Sequence, residues 1–249
     1  MAQRPSVLQF EHVFLHSKPA QEVIKDGGWL WQYSGGPSKR ANSAQSMDLA
    51  DDDNAKERLE TYAEWANDHN IIPTFRVTPL TGVRIIGALN KLNWPMIEEV
   101  AVMAMPVGAS FTPKNDFKFF EPTDLEWLDV QFSLNELDAD DAEAVKSMLT
   151  RLTVRSTGIL VYDETGVAVA IAQASVDEGI GIYLNVVVRK GLRGQGYGRS
   201  IMQAALNWSK EVGAHWAAVQ VLADNIAAIN LYRSLGFEEI YRYHYRRPA

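Results

Sequence analysis

A glycine-rich loop holds the residues of this chain that are best suited to chemistry. Three consecutive valines, typical of a strand, lead into a loop with four glycines, and a helical pattern follows at once. Glycines let the backbone turn its N–H groups toward a ligand, and a helix start adds partial positive charge. The segment therefore predicts a pyrophosphate site, at which arginines supply mobile positive charge. Its residues are Arg193, Gly194, Gln195, Gly196, Tyr197, Gly198 and Arg199.

Two common nucleotide-binding motifs also contain glycine-rich loops, and neither matches this one. The glycines do not follow the Gly-x-Gly-x-x-Gly spacing, and no acidic strand end follows about 20 positions later to hold a ribose. A nucleoside-triphosphate loop requires Lys-Ser or Lys-Thr, whereas Gly198 is followed by Arg199. A flexible surface turn is the remaining alternative to a phosphate site.

Residues further along the chain extend the pattern of the loop. Asn225 opens the next predicted helix, and residues 231–237 read Leu-Tyr-Arg-Ser-Leu-Gly-Phe. Together with Arg193, Gly196 and Gly198, this ending resembles the GNAT superfamily of acetyltransferases, whose loop reads Arg/Gln-x-x-Gly-x-Gly/Ala. The resemblance covers residues 179–243. It implies an N-acetyltransferase that uses acetyl-coenzyme A as its co-substrate.

The resemblance also implies roles for individual residues. Asn225 would bind the pantetheine arm of the coenzyme, and Tyr232 would protonate the departing thiolate. The two are seven residues apart and therefore share one face of a helix. The alternatives are an N-cap for Asn225 and a packing aromatic for Tyr232. The pantetheine arm would also pair with the strand edge formed by Val186, Val187 and Val188. One backbone N–H of this edge would polarise the thioester carbonyl.

The group that accepts the proton of the attacking amine is not identified by the pattern. Family members often carry an acid on the strand before the loop, where this chain has Asn185. An amide cannot act as a base, so other residues have to be considered. The candidates, each of which also fits a solvated turn or an edge, are Asp163, Asp177, Glu178 and His244.

The elements that carry these residues predict an α/β protein of the α+β type, with a mixed and mostly antiparallel sheet. Strands are expected over residues 29–34, 41–47, 74–78, 99–105, 125–134, three within 157–188, 216–222, and a pair over 237–246. Helices are expected over residues 6–24, 51–67, 82–92, 139–152, 196–212 and 225–235.

The two halves of the chain share a sequence ending. Residues 75–100 run from Phe-Arg-Val through a helix to Glu-Glu-Val, and residues 219–240 run from Val-Gln-Val through a helix to Glu-Glu-Ile. An internal duplication is one interpretation, and the common recurrence of strand-helix-strand units is the other. We predict a degenerate GNAT-like lobe over residues 1–105, a linker over 106–122 and a catalytic GNAT domain over 123–249.

The N-terminal half resembles the leading half of bacterial two-lobed GNAT proteins. Where a phosphate loop would precede its helix, it has carboxylates at position 48 and at positions 51–53, which would repel a pyrophosphate. This lobe is therefore expected to lack coenzyme and to shape the acceptor pocket instead. The residues considered for that role, with core packing as the alternative for the tryptophans, are Trp29, Trp31, Arg40 and Asn42.

The composition limits the possible functions. The net charge of −7 argues against a general nucleic-acid binder, which needs an excess of Lys and Arg. The absence of cysteine rules out a covalent acetyl-cysteine, so direct transfer in a ternary complex is expected. The first residues lack a signal-peptide core and no apolar run could span a bilayer, which predicts a cytoplasmic protein without a membrane partner. His12 and His16 have no third ligand nearby, so no metal is expected.

The expected reaction is transfer of an acetyl group from acetyl-coenzyme A to a primary amine. A small-molecule amine and a peptide N-terminus are both open as acceptors, and an excess of acids between positions 121 and 188 favours a cationic one. The alternatives are a coenzyme-A-binding sensor or structural module without catalysis, and a transferase of a longer acyl group. The sequence does not indicate an oligomeric state.

Overall fold

Eleven strands form one continuous sheet in the computed structural model, which describes residues 3–36 and 38–249. The strands are β1 (Glu22–Asp26), β2 (Trp29–Tyr33), β3 (Ala44–Ser46), β4 (Phe75–Val77), β5 (Met96–Pro106), β6 (Phe117–Phe120), β7 (Arg155–Tyr162), β8 (Ala168–Asp177), β9 (Ile180–Val188), β10 (Trp216–Leu222) and β11 (Glu238–Arg246). The helices are α1 (Val7–His16), α2 (Ala55–Asp68), α3 (Val83–Lys91), α4 (Leu125–Asn135), α5 (Ala139–Thr150), α6 (Tyr197–Glu211) and α7 (Ile226–Leu235).

The strand order shows that the two lobes repeat one topology. Across the sheet it runs β1-β2-β3-β4-β11-β5-β10-β9-β8-β7-β6. Neighbouring strands are antiparallel except β3 with β4 and β9 with β10, which occupy equivalent positions in the two lobes. The unit β4-α3-β5 of the first lobe therefore corresponds to β10-α7-β11 of the second, which supports the internal duplication.

The last strand of each lobe lies inside the other lobe. β5 pairs with β10 and β11, and β11 pairs with β4 and β5. This exchange joins the strands of both lobes into one sheet. The prediction of a mixed α/β fold with a mostly antiparallel sheet and two lobes is confirmed.

The strand predicted over residues 125–134 was wrong, because these residues form helix α4. Trp127 and Leu128 are buried on the same face as Gln131, which follows them by four and three positions, and this is helical spacing. Asp124 caps the helix by accepting a hydrogen bond from the backbone N–H of Glu126 at 2.8 Å. The many apolar residues in this segment gave it the composition of a strand, although the spacing of the buried ones is that of a helix.

Other predicted boundaries also differ from the structure. The first helix ends at His16, and residues 22–33 form a β1–β2 hairpin that turns at Gly27, whose φ is 56°. The segment over 41–47 contains only the short β3, since residues 39–41 form a 3₁₀ turn. The predicted linker over 106–122 includes β6, which pairs with β7. The predicted strand pair over 237–246 is the single strand β11.

A buried ion pair joins α1 of the first lobe to the centre of the sheet. Arg76 on β4 forms a salt bridge with Glu11 on α1, and their side chains are 1% and 0% exposed. Gln45 accepts a hydrogen bond from Arg76 at 2.7 Å, and the Tyr241 hydroxyl donates to Glu11 at 2.6 Å. The guanidinium also stacks 3.8 Å from the ring centroid of Tyr243. Two strands of the first lobe and β11 of the second are thereby connected through one cluster.

Candidate functional site

The parallel strands β9 and β10 separate midway along their length. Their pairing runs from Ile180 opposite Trp216 to Tyr183 opposite Val219, and stops there although both strands continue. A β-bulge on β9 follows at once, because Leu184 pairs with Gln173 of β8 and Val187 pairs with Ile171. The bulge opens a gap in the sheet and leaves the facing edge of β9 unpaired.

Asn185 is at the centre of this bulge. Its φ of 51° lies in the left-handed region, which asparagine tolerates better than most residues. Val186 follows in the bulge and lines the gap, while Val187 and Val188 pair with β8 on their other side. The three valines thus lie along the free edge of β9, where a strand-like ligand could pair with backbone groups.

The glycine-rich loop connects β9 to the start of α6. Gly194 and Gly196 have φ values of 78° and 95°, and a Cβ on either would have no neighbour within 4 Å. Backbone N–H groups from Gly194 to Gly198 have no backbone partner within the described residues, as expected for a helix start. The loop therefore presents free amides around an open space at the positive end of the α6 dipole.

The arginines of the loop are exposed on either side of these amides. The Nε of Arg193 donates to the carbonyl oxygen of Val188 at 3.3 Å, and Arg199 donates to the hydroxyl of Ser234 at 2.7 Å. Gln195 is exposed, and Tyr197 is half-buried as the first residue of α6. Gly198 lies against α7, since an added Cβ would be 3.2 Å from Leu231.

Helix α7 brings Asn225 and Tyr232 to the gap between β9 and β10, and both line one cavity of about 230 Å³ there. The side-chain oxygen of Asn225 caps α7 by accepting a hydrogen bond from the N–H of Ala228 at 3.2 Å. The side-chain N–H₂ of Asn225 donates no hydrogen bond to the described residues. Tyr232 is buried, packs on Phe237, and has its pKa raised to about 12 by burial. A phenol in this setting stays protonated and can donate a hydrogen bond into the cavity.

The first lobe supplies two cations to the same cavity. Lys18, just after α1, and Arg40, in the loop before β3, line it together with Asn185 and Tyr232. Lys18 reaches β9 because α1 packs against β8 and β9. Arg40 was considered for this role from the sequence, whereas Lys18 was not identified. No spacing in the sequence relates Lys18 to residues 185–232, since only the packing of α1 brings them together.

The four candidate bases do not line this cavity. Asp177 accepts from His16 at 2.6 Å, and Glu178 has a φ of 47° in the turn between β8 and β9. Asp163 holds the β7–β8 turn through the N–H groups of Thr165 and Val167. These carboxylates therefore lie in turns or contact a histidine outside the cavity. His244 is half-buried on β11, where burial lowers its pKa.

The remaining residues considered in the first lobe have structural contacts. Trp29 and Trp31 are buried in the core of that lobe against Phe75 and Tyr62. The loop that corresponds to the phosphate loop is closed by its own carboxylates, since Asp51 accepts from the N–H of Gly28 at 2.6 Å and binds Arg58 at 2.9 Å. The hydrogen bond from Arg58, followed by that from Gly28, lowers the pKa of Asp51. The carboxylate of Asp51 therefore occupies the place in this lobe where a phosphate would otherwise bind.

Known proteins resemble this chain over nearly its whole length. The family model described as "Probable histone acetyltransferase Rv0428c C-terminal" matches residues 6–246. An "Uncharacterized N-acetyltransferase YobR" from Bacillus subtilis is 26% identical over 247 residues, which cover 96% of this chain and 98% of that protein.

Two solved structures share the fold along nearly the whole chain. A GCN5-related N-acetyltransferase from Kribbella flavida has a TM-score of 0.77 at 15% identity, covering 99% of this chain and 97% of its own. A tandem GNAT protein from the clavulanic acid biosynthesis pathway has a TM-score of 0.66 at 17% identity, covering 99% and 88%.

Among residues 3–36 and 38–249, no cluster of three or more His, Cys, Asp and Glu has an arrangement that could hold a metal ion. Within the same residues, no helix is both long enough and apolar enough to cross a membrane.

Proposed function

The chain belongs to the GNAT family described as probable histone acetyltransferase Rv0428c C-terminal, and from this premise we propose that it transfers acetyl from acetyl-coenzyme A directly to a primary amine at the gap between β9 and β10. It is an acyltransferase of the GNAT type, and GNAT acetyltransferases use acetyl-coenzyme A as co-substrate. The observation that carries the proposal is the bulge at Asn185, which leaves a free strand edge between the glycine loop and Tyr232.

The shape of the site fits the coenzyme. The open space beside Gly194 and Gly196, with unpaired amides, Arg193 and Arg199 around it, suits the pyrophosphate. The edge formed by Val186, Val187 and Val188 would pair with the amides of the pantetheine arm, and the free amide N–H₂ of Asn225 would donate to the same arm. Gln195, Tyr197 and Gly198 complete the loop and the first turn of α6.

The proposed transfer conserves protons. The amine nitrogen bonds to the carbonyl carbon, and the C–S bond breaks with its electron pair going to sulfur. A backbone N–H of residues 186–188 would stabilise the carbonyl oxygen as negative charge develops. Tyr232 protonates the sulfur, and its phenolate regains, through water, the proton that the nitrogen loses. The chain contains no cysteine, so the transfer needs both substrates bound together.

A binding measurement tests this proposal. Acetyl-coenzyme A at 100 times its dissociation constant should stabilise the protein by about 2.7 kcal/mol, and an amine panel should release free thiol. Binding without turnover on any amine would favour a sensor, and faster turnover with longer acyl-coenzyme A would favour a different acyl group. Absence of any thermal shift with millimolar acetyl-coenzyme A would contradict the proposal.

A pair of glycine variants locates the site. Gly196→Asp adds a carboxylate among the free amides and should abolish binding. Gly213→Asp is the matched control, because Gly213 has a φ of 98°, is exposed and lies at the other end of α6. Both variants strain the backbone alike, and the helix dipole makes Asp less unfavourable at the N-terminus than at the C-terminus. Equal affinity of the two variants in calorimetry would show that the loop does not hold the coenzyme.

A further inference from the structure

Lys18 and Arg40 form a pair of cations at the cavity that holds Tyr232. A second space of about 210 Å³ lies between the Arg40 loop and helices α4 and α5, and it is also lined by Lys18 and Asn185. Both side chains are half-buried and come from the first lobe, whereas Asn185 and Tyr232 come from the second. Two positive groups from one lobe therefore face the reaction site of the other.

Neither cation has a counter-ion within the described residues. No carboxylate lies within 4.0 Å of Lys18 or Arg40, and neither cavity is lined by an acidic residue. The three residues outside the description, Met1, Ala2 and Pro37, carry no acidic side chain. The Nε of Arg40 is buried and makes no hydrogen bond to any residue that the structure describes. Uncompensated buried charge is costly, so such a pair is expected where an anion binds.

The loop that carries Arg40 is held in place before any ligand arrives. The side-chain amide of Asn42 donates to the carbonyl oxygens of Gly35, Gly36 and Ser38, each at 3.1 Å, and its oxygen accepts from the N–H of Ser34 at 2.8 Å. Asn42 is itself buried. The loop thus presents Arg40 from a fixed backbone, which is typical of a built binding site.

We propose that Lys18 and Arg40 bind a carboxylate of the acceptor, so that the acceptor of this enzyme is an amine that also carries a carboxylate, such as a free amino acid. This proposal rests on the proposed acetyltransfer at the same site. The carboxylate would offset one of the two positive charges and orient the amine toward the acyl group, and the remaining positive charge would stay beside the amine. The acidic residues between positions 121 and 188 do not line either cavity, so they give no support there to a cationic acceptor.

The charge of the site also fits the chemistry of the amine. An amine attacks only in its neutral form, and neighbouring cations disfavour the ammonium form. The cations therefore help to remove the proton in a cavity that has no carboxylate base. Burial, and to a smaller extent Arg40, lowers the pKa of Lys18 to about 7. A bound carboxylate would raise that pKa, so binding near neutral pH should take up protons.

Matched acceptors test the proposal. The panel consists of the 20 amino acids, the corresponding amino-acid amides, and polyamines, each measured for kcat/KM with acetyl-coenzyme A. We expect at least one free amino acid to be preferred over its own amide by about 10-fold or more, a typical effect of one charged contact. Preference for amides or polyamines, or acetylation of no carboxylate-bearing amine, would overturn the proposal. Normal acetyl-coenzyme A binding in the same samples would show that the failure concerns the acceptor alone.

Two variants and a control assign the contact. Lys18→Met and Arg40→Met should raise KM for the preferred amino acid, leave the affinity for acetyl-coenzyme A near that of the wild type, and reduce the preference over the amide. The control is Lys39→Met, because Lys39 is next to Arg40 but binds Glu98 at 2.9 Å and does not line the Tyr232 cavity. Calorimetry in buffers of different ionisation enthalpy should detect proton uptake that Lys18→Met removes. An unchanged KM in both variants, with melting temperatures intact, would refute the assignment.

Discussion

The buried side chain of Tyr232 lines the cavity, and its hydroxyl makes no hydrogen bond within the described residues. Its raised pKa of about 12 exceeds that of an ordinary thiol, about 8.5. Full transfer of the phenol proton to a free thiolate is therefore uphill, so Tyr232 acts first as a hydrogen-bond donor to the charge that develops on sulfur, and it gives up its proton only as the phenolate regains the proton that the amine loses. A group that acts in the transition state affects turnover more than ground-state binding.

Replacement of Tyr232 by Phe should separate this role from packing. Tyr232→Phe keeps the ring against Phe237 and removes the proton donor. We expect turnover to fall by about 10² to 10⁴, with little change in melting temperature or acetyl-coenzyme A affinity. Steady-state kinetics and calorimetry on the same samples provide the measurement.

The control for Tyr232 is another phenol whose pKa is raised to about the same value. Burial also raises the pKa of Tyr162 to about 12, but its hydroxyl contacts Glu126 at 3.2 Å, outside the cavity. Tyr162→Phe should therefore leave turnover near that of the wild type. A Tyr232→Phe enzyme with full activity would remove Tyr232 from the mechanism and make water the proton donor.

At the scale of elements, the Glu11–Arg76 pair connects α1 to β4 and, through Tyr241, to β11. The position of α1 matters for the proposed acceptor site, because Lys18 follows this helix directly. A buried ion pair contributes less to stability than its geometry suggests, yet removal of one partner leaves the other charge uncompensated. The Glu11–Arg76 cluster thus chiefly fixes the position of α1 relative to β4 and β11.

Glu11→Gln should destabilise the protein strongly. The change keeps the size of the side chain but leaves the Arg76 guanidinium buried without a counter-ion, which costs about 3–5 kcal/mol. Glu98→Gln is the control, because it breaks the partly exposed pair with Lys39 and should cost about 1 kcal/mol or less. Urea unfolding of both variants measures the difference. Equal losses would contradict the structural role of the buried pair.

At the scale of the whole molecule, the exchange of β5 and β11 makes each lobe depend on the other. Without residues 1–106, β10 and β11 lose the strand that lies between them. The lobe boundaries at residues 105 and 123 remain a prediction, and the strand order argues that they do not divide the chain into independently folding parts. The two lobes also contribute together to the Tyr232 cavity.

Separate expression of the second half tests this dependence. Residues 107–249 alone should lack cooperative unfolding, because the edges of β10 and β11 and the apolar core around Met103 would be exposed. Co-expression with residues 1–106 should restore a single folded complex. Circular dichroism melts and size-exclusion chromatography measure both. A folded 107–249 fragment that binds acetyl-coenzyme A would contradict the expectation.

Local sequence determined the features that depend on neighbours in the chain. The valine run, the glycines and the helical period of α6 are contiguous, so their strand-loop-helix order was predicted correctly. Asn225 and Tyr232 share one helix, and their common face follows from its period alone. The family could be identified from these residues because the loop and the ending of α7 lie within one stretch of about 45 positions.

Tertiary structure decided everything that requires distant segments to meet. The approach of Lys18 to Asn185 depends on the packing of α1 against β8 and β9, which no local pattern encodes. The exchange of β5 and β11 likewise depends on strand pairing between the two halves. The sequence does not reveal it, because each strand would be equally apolar whether it stayed in its own lobe or crossed into the other. The sequence predicted a strand where α4 is, because apolar composition alone does not distinguish a helix from a strand. The spacing of the residues that become buried distinguishes them, and only the structure shows which residues those are. The chemistry of the co-substrate loop is local in the chain, whereas the charge of the proposed acceptor site arises only when the two lobes fold together.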